Sequence, residues 1–362
     1  MKIYELMDVI NRNIPLSKAE PWDNVGLLIG DCQSDISNIM TTLDCTAEVV
    51  MEAIKLDCNT IICHHPLIFT GIKQLENSGY GAVIRQLITN DINLIALHTN
   101  LDAHPKGVSA MIADKLELVN QEILVPQMSA MAKLQLFVPA THVEEVKAVL
   151  AEAGAGQIGD YSDCFFQIEG KGQFKPNAEA APYVGDIGHL EVVDEVKLEC
   201  VFAPQLRQQI ELALLSSHPY EEPAYDIYEF KVRDQFGTGI KGILQQPVVI
   251  DDWLSHIKSK LNLDSVRLIG PPHKTIRSVG IIGGAGMDYM TAVQKADVDI
   301  FLTGDIKYHE AHDLLMAGLT TVDIQHYAES VMKEGLKQLL EGFDLPVTVI
   351  SSSVDTNPFT FY

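Results

Sequence analysis

The sequence predicts an α/β protein: one larger α/β unit built from two halves, interrupted by an inserted β-α-β-β-α-β (ferredoxin-like) domain. Three observations carry this expectation. Short β-branched runs alternate with helical spacing over residues 1–129. The same grammar returns over 236–362. The stretch between them, 130–235, orders its elements differently and holds a long Gly/Pro-containing segment from Gly170 to Gly188.

In the first part, Tyr4 to Asn11 has amphipathic helical spacing and stops before Pro15. Ile39 to Asp44 is an apolar strand, and Ala47 to Leu56 a helix. Thr60-Ile61-Ile62-Cys63 is a short apolar run rich in β-branched residues, expected as a buried strand. Tyr80 to Asn90 is a helix and Asn93 to Leu97 a strand. Such β-α-β alternation implies a largely parallel, covered sheet. In the middle, Lys133 to Val138 is a strand, His142 to Ala153 a helix ended by Gly154, and Asp163 to Ile168 a strand. Glu191 to Phe202, Gln205 to Leu215 and Ala224 to Phe230 follow as strand, helix and strand. In the last part, Asp251 to Lys260 is a helix, and strand Ser278 to Ile282 runs into Gly283-Gly284-Ala285-Gly286. Helices are expected at Met290–Ala296, His309–Ala317 and Glu329–Leu340. Strands are expected at Asp299–Leu302, Leu319–Ile324 and Pro346–Ser351.

Composition bounds the function. The 362 residues carry 26 Lys+Arg against 49 Asp+Glu, a formal charge of −23. At ~100–200 residues per domain, this length holds two or three domains. A hydrophobic fraction of 47% with 21% charged residues is globular rather than disordered. The negative charge argues against an electrostatic grip on nucleic acid or an anionic membrane. Acidic residues interrupt the first eight positions, where a signal peptide is unbroken and apolar. No window approaches ~18 uninterrupted apolar residues. The six Cys form no C-x-x-C pair and read as reduced, mostly buried thiols. A cytoplasmic location without membrane association is the expectation.

Four strand ends carry residues of metal-ligand type: Cys63-His64-His65-Pro66, His98 to Asp102, Thr303-Gly304-Asp305 continuing to His309 and His312, and Gln325-His326 to Glu329. In parallel α/β sheets the carboxyl ends of strands share one edge, so these segments are expected to converge. Imidazole and carboxylate suit Zn, or Fe, Mn, Co or Ni, as divalent ions. Adjacent His64 and His65 point to opposite faces if extended, so two ions, one for each, relieve the geometry. Asp102 or Glu329 could bridge them. Taken singly, the signals have bland alternatives. A His-His pair can be structural, Asp102 a turn or N-cap residue, and His326/Glu329 a surface pair at i, i+3. His98, His309 and His312 are candidates for proton transfer or for orienting a ligand. Gly284 and Gly286 sit where backbone N–H groups can hold a phosphate, although a tight turn explains them equally. His218-Pro219-Tyr220-Glu221 in the insert is a rigid interaction loop or a ligand loop.

Together, Asp23-Asn24-x-Gly26, Cys63-His64-His65-Pro66, His98-Thr99-Asn100-Leu101-Asp102, Thr303-Gly304-Asp305 and His326-x-x-Glu329 resemble the NIF-three-like family, whose members are often labelled GTP cyclohydrolase I type II homologues. The insert, with Gly172-Gln173-Phe174 and His218-Pro219-Tyr220-Glu221, is similar to that of the longer bacterial members. The resemblance implies a three-layer α/β unit with a dinuclear metal site on His64, His65, Asp102, His326 and Glu329. Some members place the late His one position earlier, at Gln325 here. The resemblance further implies a toroidal homohexamer with its metal sites facing an inner cavity, and an insert similar to the PII and CutA folds. The function expected is metal-dependent hydrolysis of a phosphoester or nucleotide. The alternative is a non-enzymatic metal-binding regulatory or metal-delivery module whose insert senses an unidentified small molecule.

Overall fold

A computed structural model describes residues 1–361. The chain divides into two compact units, Met128–Asp234 and the remainder on either side of it. The first part forms α1 (Ile3–Asn13), β1 (Gly26–Ile29), β2 (Asn38–Thr42), α2 (Ala47–Lys55), β3 (Thr60–Cys63), α3 (Gly79–Thr89), β4 (Asn93–Ala96), the single turn α4 (Thr99–Asp102), α5 (Val108–Lys115) and the long β5 (Val119–Pro139). The middle forms α6 (Val143–Glu152), β6 (Phe165–Phe174), β7 (Glu191–Phe202), α7 (Arg207–Ser217) and the long β8 (Tyr225–Val249). The last part forms α8 (Ile250–Leu261), β9 (Arg267–Ile269), β10 (Thr275–Ile281), α9 (Met290–Lys295), β11 (Ile300–Thr303), α10 (Tyr308–Met316), β12 (Thr321–Asp323), α11 (Met332–Glu341) and β13 (Thr348–Ser351).

In the larger unit the two chain halves build two sheets rather than extending one. The first has the order β1-β4-β3-β2-β13. Its last strand comes from the second half and pairs in parallel with β2. The second sheet runs β8-β10-β11-β12-β9, with β10, β11 and β12 parallel. A layer of helices lies between the sheets. Ile3, Leu6 and Ile10 of α1, Trp253 and Ile257 of α8, and Leu336 and Leu340 of α11 share one core with Ile62, Ile95, Val279 and Leu302 of the strands. The opposite strand faces pack outward, Met40, Ile61 and Leu94 on α2 and α3, and Phe301 on α9 and α10. Alternation along each strand thus serves two cores at once.

Periodicity misses α5 for the same reason. Its residues Val108 to Ala113 are all buried, so the helix has no polar face to mark a 3.6-residue period.

The smaller unit has the sheet order β6-β7-β5-β8, with β6/β7 and β7/β5 antiparallel. Helices α6 and α7 cover one face through Val146, Leu150, Ile210 and Leu214, packed on Leu134, Leu136, Val196 and Leu198. Strands β5 and β8, of 21 and 25 residues, far exceed the six- and seven-residue stretches expected. All six cysteines are free, and four are buried. Among the described residues no helix is long and apolar enough to cross a membrane.

Candidate metal centre

The parallel registers align the strand ends. Thr42, Cys63 and Ala96 are neighbours across β2, β3 and β4. The chain beyond each of these strands therefore leaves from one edge, carrying Asp44, then His64 and His65, then His98 and Asp102. In the second sheet Thr303 pairs with Asp323. That edge delivers Asp305 and the 3-10 turn His326–Val331. In a 3-10 turn residues i and i+3 eclipse, so His326 and Glu329 project from one side.

The two edges meet at Glu329. Its Oε2 lies 3.1 Å from His65 Nε2, 3.2 Å from His326 Nε2 and 3.8 Å from His64 Nε2. His65 and His326 bring their Nε2 atoms within 3.2 Å of each other. Asp102 Oδ1 lies 3.6 Å from His64 Nε2. Among the described residues, three overlapping groups could hold a metal ion: His64/His65/His98, His65/His326/Glu329 and His64/Asp102/Glu329.

Each imidazole is oriented from behind. His64 Nδ1 donates to the Leu97 carbonyl at 2.8 Å, since a carbonyl only accepts. Its Nε2 is therefore a lone pair, and it is buried with no hydrogen-bond partner, as is Asp102 Oδ1. Two buried polar atoms facing each other at 3.6 Å, too far for a hydrogen bond, are costly unless a cation lies between them. The site thus fits a metal on its own geometry. His65 Nδ1 is held by Asp44 at 2.6 Å, His326 Nδ1 by Asp305 at 2.7 Å, and His98 Nδ1 by Asp23 at 2.9 Å. Carboxylates behind imidazoles fix the tautomer and raise ligand basicity.

The electrostatics divide the groups. Burial pushes His64 down to about 3, keeping it neutral. Burial also opposes a charge on His65, but its bonds to Asp44 and Glu329 outweigh that and lift it to about 10. His326 is lifted to about 9 by its bond to Glu329, against burial. Burial works to raise Glu329, yet its bonds to His326 and His65 hold it well below the carboxylate range. Asp102 is pushed well up, by burial first and by the Glu329 charge second. Burial works to raise Asp23, but its bonds with His98 and Thr99 keep it ionised.

The structure brings together His64, His65, Asp102, His326, Glu329 and His98. Gln325, the alternative position for the late His, turns away, its Nε2 donating to the Ser265 carbonyl at 2.6 Å. Its backbone is left-handed, at φ 63°, as is that of Asp305 at 56°. Such conformations persist only where the surroundings impose them. His309 and His312 are not drawn in. They lie exposed on α10 with their rings against Tyr308, outside all three groups.

The glycine turn also departs from expectation. Of the two glycines expected to hold a phosphate, Gly286 has its amide engaged within the protein, donating to Thr303 Oγ1 at 2.9 Å, as does the neighbouring Gly283 N to Ser109 Oγ at 3.1 Å. The turn instead makes room for a ligand side chain. A Cβ on Gly284 would lie 2.7 Å from Glu329 Oε1. Sequence reasoning passed over Asp44 and gave Asp305 no role of its own. Asp44 ends an expected strand at the same edge as His64, and that position was the available signal.

Comparison with known proteins agrees with this architecture. Residues 1–358 match the family Duf34/NIF3 (NGG1p interacting factor 3). A Staphylococcus epidermidis protein named GTP cyclohydrolase 1 type 2 homolog is 46% identical over 365 aligned positions, covering 100% of both chains. The crystal structure of Staphylococcus aureus protein SA1388 superposes with a TM-score of 0.90 at 40% identity, covering 100% of this chain and 99% of that one. A Bacillus cereus protein related to NIF3 gives 0.79 at 37% identity over 100% and 99%. With a full-length family match and relatives this similar, the chain belongs to the Duf34/NIF3 family.

Proposed function

We propose that this chain binds two divalent ions through His64, His65, Asp102, His326 and Glu329 and hydrolyses a phosphoester or nucleotide. One observation carries the reading: Glu329 belongs both to the His65/His326 group and to the His64/Asp102 group. A shared carboxylate between two ligand sets is what a bridged pair requires. A pair of divalent ions supplies Lewis-acid polarisation and a nucleophilic water at neutral pH. The chain supplies the rest. Asp44, Asp305 and the Leu97 carbonyl hold the Nδ1 sides of His65, His326 and His64, so that each Nε2 faces inward and would serve as a ligand once bound ions displace the protons from His65 and His326. Asp23 keeps the proton of His98 on Nδ1 and leaves Nε2 as an acceptor, able to take a proton from the reacting group and return it. The curated relatives are named homologues of a GTP cyclohydrolase, a nucleotide-directed hydrolase, which is compatible with this substrate class.

Elemental analysis of wild type beside His65→Ala tests the site, and a phosphoester and nucleotide panel tests the activity. About two ions per chain in wild type, fewer in the variant, and turnover lost with them are expected. Metal-replete protein that turns over nothing on the panel overturns the hydrolytic part.

A second reading, a metal-binding regulatory module without catalysis, draws on a cavity of about 840 Å³ in the smaller unit, lined by Phe174, Tyr183, Tyr220 and the buried Glu195. A thermal shift of the full chain with a metabolite, kept in His65→Ala, favours it.

A further inference from the structure

A cavity of about 500 Å³ opens on the His65–His326 side of the metal centre, of a size that accommodates a small-molecule substrate. Tyr327 lines its inner side, and Phe359 and Phe361 line it from the segment beyond β13. These two rings are 68% and 43% exposed. Exposed aromatic side chains beside a reactive centre form a stacking surface.

The segment that carries them is fastened in place. Lys333 Nζ donates to the Val354 carbonyl at 3.0 Å, and Thr356 N to Tyr327 Oη at 3.2 Å. Thr356 Oγ1 donates to Asp44 Oδ2 at 2.6 Å, and Phe359 N to Asn357 Oδ1 at 3.1 Å. A surface held this way loses little freedom when a ligand stacks on it.

The polar groups on the rim narrow the ligand. Gln325 has its Nε2 engaged by Ser265, leaving Oε1 to accept. Asn357 has Oδ1 engaged by Phe359 N, leaving Nδ2 to donate. Arg267 pairs with Asp323 and the Ile306 carbonyl through Nη2, leaving Nε and Nη1. An aliphatic body would strand these groups, whereas the edge of a heteroaromatic ring offers both donors and acceptors.

We propose that this cavity holds the heteroaromatic ring of a nucleotide-type substrate against Phe359 and Phe361, with the phosphoester turned toward His65 and His326. Phe359 and Phe361 are then specificity-determining residues. The proposal rests on the hydrolytic reading only for the phosphoester. Ring binding is separable from it.

The test uses guanosine and adenosine, which carry no phosphate, titrated into chelator-treated full-length protein by calorimetry and saturation-transfer NMR. Saturable binding is expected to weaken by about tenfold or more in the Phe359→Ala/Phe361→Ala double variant. It should persist in Phe359→Trp, and cyclohexanol should not compete. Circular dichroism of the chelator-treated proteins, and metal content before that treatment, confirm that the variants fold. Absent nucleoside binding, unchanged binding in the double variant, or equal competition by cyclohexanol overturns the proposal. A protein that hydrolyses a small non-aromatic phosphodiester but binds no nucleoside retains the hydrolytic reading and loses this one. A protein that binds nucleosides through these rings but hydrolyses nothing does the reverse.

Discussion

Thr356 donates its hydroxyl to Asp44 at 2.6 Å, on the carboxylate whose other oxygen holds His65 Nδ1 at 2.6 Å. The segment after β13 is thereby coupled to the orientation of His65, a proposed metal ligand. Removing an orienting carboxylate behind a ligand His costs about 10- to 100-fold in metal affinity. Asp44→Asn is expected to weaken metal binding within that range. Thr356→Val, which leaves Asp44 charged but free to turn, is expected to weaken it less. Competitive chelator titration of the two variants checks the order, and equal affinities in wild type and Asp44→Asn would refute the coupling.

Glu329 and Asp102 should not be equivalent. Glu329 belongs to two of the possible metal groups and Asp102 to one. If two ions bind, Glu329→Gln removes a ligand from both and Asp102→Asn from only one. Metal content is expected to fall from about two ions per chain to near none in the first variant and to about one in the second. Both changes leave side-chain volume almost unchanged, so the fold should survive. Equal losses in the two variants would count against a shared carboxylate.

Gly284 separates a site effect from a backbone effect. It has φ +57°, and a Cβ there would lie 2.7 Å from Glu329 Oε1. Gly318 has φ +68° with nothing within 4 Å of its Cβ position. The left-handed conformation costs a non-glycine residue about 1–2 kcal/mol. Gly284→Ala and Gly318→Ala should therefore both lower the melting temperature by a few degrees. Only Gly284→Ala should lower metal content, because only its methyl group displaces Glu329. Parallel thermal and elemental measurements decide it.

Convergence of strand ends follows from topology more than from element boundaries. Parallel strands must release their carboxyl ends at one edge, so His64, His65, His98, Asp102, His326 and Glu329 could be gathered although they lie up to 265 residues apart (329 − 64). The existence of two facing sheets was not legible. Ile61 and Ile62 are both apolar, and only the structure shows that they serve different cores. His309 shows the converse error. It follows a strand end in sequence, but it lies exposed near the start of α10, outside the three ligand groups. Gly286 misled because a glycine turn between a strand and a helix looks alike whether its amides hold an anion or a threonine. Phe359 and Phe361 have no periodic context at all, and the segment that carries them is tied by contacts distant in sequence, to Lys333, Tyr327 and Asp44.

The smaller unit should respond to acid through His218. Its Nε2 donates to the Phe137 carbonyl at 2.9 Å, so Nδ1 is the acceptor for Tyr220 N at 3.1 Å. Burial lowers its pKa from the usual value near 6.5. The Phe137 carbonyl and Glu195 favour the charged form, and His142 opposes it, but burial dominates. The folded state therefore binds fewer protons than the unfolded state. The stabilisation is complete above pH ~6.5 and is lost as pH falls through the lowered folded value. Protonation at Nδ1 also removes the acceptor for Tyr220 N. Amide exchange at Tyr220, corrected for its intrinsic rate, should accelerate as pH drops from 7.5 to 5 in wild type. In His218→Gln it should not. The same acceleration in both proteins would show that a different group controls the loop.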